Sequence, residues 1–333
     1  MNSFGTLLRL STFGESHGPA MGGILDGMPP GLHLDLSIAE GLLARRRPGQ
    51  AVGTSQRKES DCVEWLSGFS PEGLTLGSSI GFIIRNKDAR SKDYDLELRP
   101  LRPNHADFTY MEKYGIHDFR GGGRASARET VSWVAAGGLV LAWLHSLGIS
   151  VSAESFPGGD VKAAMCDGDS IGGYVKCRIE GLKAGVGQPV GDKLHARLAA
   201  AMMSINAAKA FEYGDGIAAA SMRGSQAADL FKPGLPKESP CITNHSGGVQ
   251  GGISNGMPVE LRVWFKPTPT IMQEISTVDM NGRPCTMPPA GRHDACVALR
   301  AAPIVEAMAA LVIGDLLLQG AATESFGVAK RIF

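Results

Sequence analysis

The amino-acid sequence predicts an α+β fold in which helices are sandwiched between sheets. Short strand patterns recur along the chain between glycine-rich turns, and glycine accounts for 44 of the 333 residues. Two long apolar helices are predicted, at Thr130–Leu147 and from about Cys296 to Leu318, each after a loop rich in glycine and arginine. This repeated order suggests an internal duplication. No low-complexity linker divides the chain, so we expect one domain over residues 1–333.

The first half is predicted to begin with two antiparallel strands. These are Thr6–Phe13 and Ala20–Leu25, joined by a glycine-flanked loop. A helix is predicted from Ser37, where the sequence matches a capping box, and it ends at Pro48-Gly49. Ser79–Arg85 is a further predicted strand.

The apolar helix at Thr130–Leu147 has nearly the length that a bilayer requires. It contains no Asp, Glu, Lys or Arg, and a second capping box over Ser126–Glu129 precedes it. It also contains Gly137, Gly138 and His145. A helix that is apolar on all sides is typical of a protein core. We therefore predict a buried helix and no association with a membrane.

The second half is predicted to combine short strands with two helices. Strands are expected at 149–154, 174–180, 216–223 and 259–265. One helix near 191–210 lies between the second and third strands, and the helix from about Cys296 to Leu318 follows the last.

Charge and cysteine content exclude several classes of function. The chain has 33 basic and 33 acidic residues, so no surface for nucleic acid is expected. Its six cysteines are scattered without a C-x-x-C pair, which argues against a zinc or redox site. The first ten residues lack a signal-peptide pattern, and we expect a cytoplasmic protein without a metal. Any anionic ligand must be held by a local cluster of cations.

Three separate segments carry histidine or aspartate between residues typical of loops. They are GESHG at 14–18, RPNHAD at 102–107 and RHD at 292–294. Two further segments suit anions: the arginine triplet of Arg45–Gly49, and the glycine loop of Gly121–Glu129, which opens a helix whose free N–H groups attract phosphate. For the triplet, the alternative is a favourable interaction with the helix C-terminus alone. Together these segments suit proton transfer next to a bound phosphate.

Other nucleotide-binding and nucleophile motifs are weak. The glycine-dense stretch Asn244–Gly256 lacks the G-x-G-x-x-G pattern and no Walker A motif occurs, so a Rossmann or P-loop fold is not expected. Residues 14–18 also match the G-x-S-x-G pattern of serine hydrolases, with Ser16 as nucleophile. Only thirteen residues precede that pattern, too few for the strands and oxyanion loop of such a fold. A serine hydrolase stays a minor alternative.

The chain resembles the chorismate synthase family over essentially its whole length. The segments that carry the resemblance are GESHG at 14–18, GGGRASARET at 121–130 and GRHDACVALRAAPIVEAM at 291–308. The stretches RPNHAD, SINAAKAFEYGDG, NHSGGVQGGISNG and KPTPT fit the same family in the same order.

The resemblance implies a fold, a reaction and a cofactor. The fold is a β-α-β sandwich, with a central helical layer between two antiparallel sheets. The reaction is the anti 1,4-elimination of phosphate and the C6 proton from 5-enolpyruvylshikimate 3-phosphate, which gives chorismate, the last common intermediate of aromatic amino acid biosynthesis. The reaction requires reduced FMN (FMNH2) without net redox change. A homotetramer is implied, and a separate flavin reductase is expected because no pyridine-nucleotide domain is visible.

The resemblance also implies a role for individual residues. The catalytic residues are His17, His105 and Asp294. The substrate contacts are Ser16, Arg46, Arg102 and Arg128. The FMN contacts are Arg124, Ala125, Ser126, Asn206, Ala207, Gly251, Lys266, Pro267, Thr268, Pro269, Thr270 and Arg292.

The chain departs from the family pattern at several places. Val52 stands where a basic residue is usual, Ala295 where proline is usual, and Trp133 where arginine is frequent. The region 150–190 is also shorter than expected. Val52 and the short 150–190 region keep open a second alternative, a non-catalytic relative that binds flavin or anions.

Overall fold

The structure contains two separate antiparallel sheets that belong to the two halves of the chain. The computed structural model describes residues 2–49, 53–54, 60–86, 100–116, 122–289 and 294–324. The first sheet has the strand order β1-β2-β3-β5-β4. Its strands are β1 Ser3–Phe4, β2 Arg9–Gly14, β3 Ala20–Asp26, β4 Val63–Trp65 and β5 Ile80–Arg85.

The second sheet is built from the following half of the chain, in the order β6-β7-β11-β8. Its strands are β6 Ser150–Pro157, β7 Gly173–Glu180, β8 Ala208–Tyr213 and β11 Val259–Phe265. Two hairpins lie outside it: β9 Val249–Gln250 with β10 Ile253–Ser254, and β12 Ile275–Val278 with β13 Pro284–Met287. Buried and exposed residues alternate along β7 and β11, as expected for strands with one face on a core.

Helices fill the space between the sheets. The helices are α1 Ser37–Arg46, α2 Asp107–Tyr114, α3 Thr130–Ser146, α4 Val161–Cys166, α5 Leu194–Met203 and α6 Ala302–Glu324. Helix α3 contacts the first sheet, α6 contacts the second, and α3 and α6 pack against each other. Helices α1 and α5 flank this pair. The predicted β-α-β sandwich, with a helical layer between two antiparallel sheets, is confirmed. Each half ends in a short 3-10 turn and a long apolar helix, the repeated order that suggested an internal duplication.

Helix α3 has no charged residue because it has almost no contact with water. From Thr130 to Leu144 all of its residues except Trp133 are buried. Its two glycines allow close helix crossings: a Cβ on Gly137 would lie 2.5 Å from Ala307 Cβ of α6, and one on Gly138 would lie 2.5 Å from Ala39 Cα of α1. Thr130–Leu147 is thus a core helix, as predicted.

Helix α6 carries the second long apolar segment. The stretch Ala302–Ala322 is long and apolar enough to cross a membrane, but 72% of its most apolar window is buried inside the protein. It contains two buried carboxylates, each paired with an arginine. Glu306 binds Arg45 (2.7 Å), and Asp315 binds Arg197 (2.7 Å). Core helices of soluble proteins meet the same length and composition criteria, so this helix is weak support for a membrane span.

Several local predictions were wrong. The predicted strand 216–223 is instead a 3-10 turn at Gly216–Ser221, because Gly214 and Gly216 adopt positive φ values of 56° and 57°, and the strand is Ala208–Tyr213. The predicted capping box at Ser37 does not form, since the Ser37 N–H donates to the Asp35 carboxylate (3.0 Å).

The capping box predicted before α3 is also wrong. Ser126 Oγ accepts from the N–H of Arg128 and caps the 3-10 turn Ala127–Glu129 rather than the α-helix. Glu129 does not return to Ser126, because its carboxylate is bound by Thr12 Oγ1 and Arg124 Nη1. The competing tertiary partners explain the difference.

Candidate active site

The loop that carries His17 is the turn between β2 and β3. Gly14 has a φ of 101°, and a Cβ there would lie 2.2 Å from Ala20 O, so only glycine fits this tight return. Asn86, at the end of β5, fixes the loop from outside. Its Nδ2 donates to Glu15 O (3.1 Å) and Gly18 O (2.8 Å). The backbone around His17 is therefore held by bonds that do not involve the imidazole.

Ser16 is buried in the same loop. It is 1% exposed, and its Oγ makes no hydrogen bond with the described residues. A hydrolase nucleophile needs a general base within hydrogen-bond reach. The geometry of Ser16 therefore does not support the serine hydrolase alternative.

Arg46 and Arg128 meet on one buried carboxylate. Asp61 Oδ2 accepts from Arg46 Nη1 (3.1 Å), and Asp61 Oδ1 accepts from Arg128 Nη1. Arg46 also donates to Thr130 Oγ1 (2.9 Å) and Ala127 O (2.9 Å). Burial lowers the pKa of Arg46 to about 9, although Asp61 acts in the opposite direction. The guanidinium is thus charged at neutral pH.

The third predicted substrate arginine, Arg102, is also paired. Asp107, the first residue of α2, accepts from Arg102 Nε (2.8 Å), Arg102 Nη2 and the Arg102 backbone N–H (3.0 Å). His105 lies between them, with Nδ1 3.3 Å from Asp107 Oδ1. A carboxylate at Nδ1 orients the ring and leaves Nε2 to exchange a proton.

Asp294 is oriented by a residue that the sequence did not single out. Its carboxylate accepts from Arg300 Nη1 at 2.9 and 3.2 Å. Arg300 Nε in turn donates to Arg46 O (2.9 Å), which ties the start of α6 to the end of α1. Thr268 Oγ1 donates to Asp294 O (2.8 Å). Asp294 is thus fixed relative to Arg46.

The predicted cofactor segments are joined to the same region. Asn206 Nδ2 donates to Ala125 O (2.8 Å), and Lys266 N donates to Ala207 O (3.0 Å). Lys266 Nζ donates to Asn104 O, beside His105. Residues 125, 206–207, 266–268, 104–105 and 294 therefore form one connected cluster.

Residues 122–130 are the centre of this cluster. A Cβ on Gly122 would lie 3.3 Å from His105 Cε1, and a Cβ on Gly123 would lie 3.0 Å from Glu15 Oε2 in the His17 loop. Arg46, which Arg300 links to Asp294, binds Ala127 and Thr130. The segments of His17 and His105 thus border 122–130, and the segment of Asp294 is joined to it through Arg300 and Arg46. They do not lie in different parts of the molecule.

Backbone strain is concentrated in this cluster. Non-glycine residues with positive φ in the described chain are Asp61 (46°), Asn104 (59°), Ala207 (68°) and Leu235 (43°). The first three lie at the cluster. Such conformations cost of the order of 1–3 kcal/mol each and are found preferentially at functional sites.

Arg124, another predicted cofactor contact, is held by the protein itself. Its guanidinium donates to Glu129 Oε2 (2.6 Å), Thr12 Oγ1 (2.8 Å) and Gly14 O (3.2 Å). Burial raises the pKa of Glu129 above its ordinary value, while Thr12 and Arg124 act to lower it. Arg124 therefore links the 122–130 segment to β2.

Some predicted site residues are not joined to the cluster by these contacts. Gly251 lies in the turn between β9 and β10, where it is exposed and has a φ of 60°. Arg292, His293, Gly121 and Val52 lie outside the described residues. In the described part of the chain, no group of three or more His, Cys, Asp or Glu side chains is placed to hold a metal ion.

Four candidate functional residues were not identified from the sequence: Asp61, Asn86, Asp107 and Arg300. Asp107 and Arg300 had a signal, since each lies in a motif already selected, five residues from Arg102 and six from Asp294 respectively. Asp61 and Asn86 had none, because each acts on residues that are distant in the chain.

The Arg102–Asp107 ion pair leads to a prediction about how the unfolding free energy depends on pH. Burial alone would raise the pKa of Asp107, but hydrogen bonds from Arg102 and His105 hold it well below its ordinary value. A lowered pKa in the folded state contributes stability that is present above about pH 4 and is lost as the pH falls further. Asp107→Asn removes this contribution. We expect its unfolding free energy, from urea titrations between pH 7 and 2, to fall less steeply with acid than the parent's; an equal slope would contradict this.

Comparison with known proteins agrees with the geometry. The family model described as chorismate synthase matches residues 8–162 and 158–318. The chorismate synthase of Phocaeicola vulgatus is 47% identical over 351 aligned positions, covering 95% of this chain and 98% of the relative. That of Nitratidesulfovibrio vulgaris is also 47% identical, with the same coverage.

The fold agrees as well. A crystal structure of chorismate synthase superposes with a TM-score of 0.74 at 28% identity, covering 95% of this chain and 93% of that chain. The sequence matches extend through both sheets and the central helices. The chain therefore belongs to the chorismate synthase family, carbon–oxygen lyases that convert 5-enolpyruvylshikimate 3-phosphate to chorismate in aromatic amino acid biosynthesis.

Proposed function

We propose that the cluster around residues 122–130 binds 5-enolpyruvylshikimate 3-phosphate beside reduced FMN and eliminates its phosphate. The observation that supports this most directly is that the predicted site segments converge on one region of the fold. The segments of His17 and His105 and the side chain of Arg46 border residues 122–130, which include Arg128, and Arg300 joins Asp294 to Arg46. Proton-transfer groups and cations beside one another suit the loss of an anionic leaving group.

The residues present fit a flavin nucleotide. Asn206 has its Nδ2 fixed on Ala125 O, while its Oδ1 is buried and makes no hydrogen bond with the described residues. The fixed and buried Oδ1 of Asn206 is suited to accept a hydrogen bond from a ring N–H of the flavin. Lys266 offers a cation, and Ala125, Ser126, Ala207, Gly251, Pro267–Thr270 and Arg292 would complete the contacts. When bound, reduced FMN supplies the electron-rich chemistry that side chains lack.

His17 would act as the acid at the departing phosphate. Arg46, Arg102 and Arg128, with Ser16, would bind the substrate's anionic groups. Because each arginine is already paired with Asp61 or Asp107, the cations are fixed in place before substrate arrives. Preorganised charge of this kind stabilises negative charge as it develops on the leaving oxygens.

His105 and Asp294 would handle the other proton. Asp107 Oδ1 lies 3.3 Å from His105 Nδ1, which leaves Nε2 to exchange a proton on the cofactor side. Arg300 keeps the Asp294 carboxylate oriented to relay the proton abstracted from C6. A flavin bound against the substrate would exclude water, which would leave the proton few competing destinations.

The remaining features follow from the family. Residues 1–333 would fold as one catalytic domain, in agreement with the packing of α1 and α3 from the first half against α6 from the second. We expect a homotetramer in the cytoplasm, supplied with FMNH2 by a separate flavin reductase. No nucleic acid or membrane partner is expected.

Chorismate formation under anaerobic conditions tests this function. With reduced FMN and the phosphorylated substrate, we expect chorismate and inorganic phosphate in equal amounts. With oxidised FMN, or with no flavin, we expect neither product. Flavin binding without turnover in the reduced assay would instead support the non-catalytic alternative raised by Val52 and the short 150–190 region.

A further inference from the structure

The buried carboxylate of Asp61 lies at the centre of the cluster and has no part in the proton transfers above. Its side chain is 0% exposed, and its two oxygens are divided between Arg46 and Arg128. Burial would raise the pKa of Asp61, but the two arginines lower it below its ordinary value. A carboxylate therefore faces two guanidinium groups.

Burial of the Asp61 carboxylate and its backbone conformation both cost free energy of folding. A charged carboxylate without water requires close cationic partners, and a φ of 46° is uncommon for a residue other than glycine, although Asp adopts it more readily than most. Both costs are met by contacts with Arg46 and Arg128. An apolar residue at this buried position would need neither cationic partners nor a positive φ. We therefore interpret the arrangement as one that holds two guanidinium groups at a fixed separation.

The arginine pair is connected to the His17 loop by one residue. Arg128 Nε donates to Asn86 Oδ1 (3.0 Å), and Asn86 Nδ2 donates to Glu15 O and Gly18 O on either side of His17. A chain of direct hydrogen bonds thus runs from Arg46 through Asp61, Arg128 and Asn86 to the loop. Any displacement of Arg128 is transmitted to the backbone that carries His17.

We propose that Asp61 is a positioning residue for the elimination, which sets Arg46 and Arg128 in register with His17 at the site of the leaving phosphate. Asp61 does not touch the substrate; it acts through the two arginines, and Asn86 extends the same constraint to the acid. The inference rests on the proposed placement of the substrate phosphate next to Arg46 and Arg128. It predicts that Asp61 matters for the rate of the chemical step more than for substrate binding.

The test is Asp61→Asn, which keeps the size of the side chain and removes its charge. We expect kcat to fall about 10²-fold, because small displacements of groups around a reacting centre have effects of this size. We expect KM not to rise, and inhibition by inorganic phosphate to become stronger, because the two arginines lose the negative charge that they share. A loss of stability alone would produce neither change in the folded enzyme.

Asp315→Asn is the matched control. Asp315 is an equally buried carboxylate bound to an arginine, Arg197, but it lies on α6 and anchors the N–H groups of Leu7 and Leu8. We expect it to lower the melting temperature and leave kcat, KM and phosphate inhibition unchanged. If Asp61→Asn behaves in the same way, or raises KM at normal kcat, the inference is wrong.

A second variant keeps the test valid if Asp61→Asn does not fold. Asn86→Asp retains the acceptor for Arg128 and loses both donors to the His17 loop, and we expect a similar fall in kcat. Normal kcat in Asn86→Asp would also refute the inference.

Arg128→Lys tests the proposed placement of the substrate phosphate, because lysine keeps the charge and loses the planar fork. Normal kinetics in Arg128→Lys would refute the placement of the substrate, whereas impaired Arg128→Lys with normal Asp61→Asn would refute the role of Asp61 alone.

Discussion

Replacing His17 with alanine is expected to lower kcat about 10²–10⁴-fold, the range associated with loss of a general acid. The phosphate would then leave without a proton donor beside it, while the arginines would still bind it. Folding should be unaffected, because Asn86 holds the loop through Glu15 O and Gly18 O, both backbone atoms. Anaerobic steady-state assays with reduced FMN, together with thermal unfolding, measure both quantities.

A control histidine makes the His17 result specific. His33 is exposed, pairs through its backbone with Leu74, and is not one of the predicted site residues. His33→Ala should retain the parent kcat and KM. If His17→Ala also retained the parent kcat, the imidazole would have no role in phosphate departure.

A comparable loss in kcat, about 10²–10⁴-fold, is expected for His105→Ala. The imidazole is 19% exposed and stands between Asp107 and the glycine turn at Gly122, so its removal takes away the proton-bearing group at that side of the site. Reduced FMN should still bind, because the contacts at Asn206 and Lys266 remain. Binding can be followed by the flavin absorbance under anaerobic conditions.

Asp107→Asn separates orientation of the ring from its chemistry. The amide leaves His105 in place but removes the carboxylate beside Nδ1, so we expect a smaller loss in kcat, about 10-fold to 10²-fold. Equal losses in His105→Ala and Asp107→Asn would mean that the carboxylate, rather than the imidazole, carries the role. A parent-like His105→Ala would contradict the assignment altogether.

The segments that form the site could be predicted because each is locally unusual. Histidine and glycine occur together at 14–18, arginine and histidine at 102–107, and glycine and arginine at 121–129. Binding and catalytic residues lie disproportionately on loops of this kind. Asp107 could have been predicted as well, since it lies in one of these runs and pairs with Arg102 only five residues away.

The contacts between the segments could not be predicted in this way. Asp61 and Arg128 are separated by 67 residues, and Arg300 and Arg46 by 254. Local periodicity carries no information about such pairs. The same limit explains the wrong capping boxes, where Glu129 was assigned to its neighbour Ser126 and in the fold binds Thr12 on another strand. Tertiary partners override the local pattern at these positions.

The glycine pair in α3 has a consequence for adaptation to heat. Gly137 crosses α6 and Gly138 crosses α1 with no room for a methyl group. Helix α1 ends at Arg46, and α6 follows the turn that carries Arg300. Filling these crossings with alanine, a common route to greater thermal resistance, would push apart the helix ends that bring the cations together. We therefore expect heat-adapted variants of this enzyme to gain thermal stability through substitutions at other positions, such as the outer faces of the sheets.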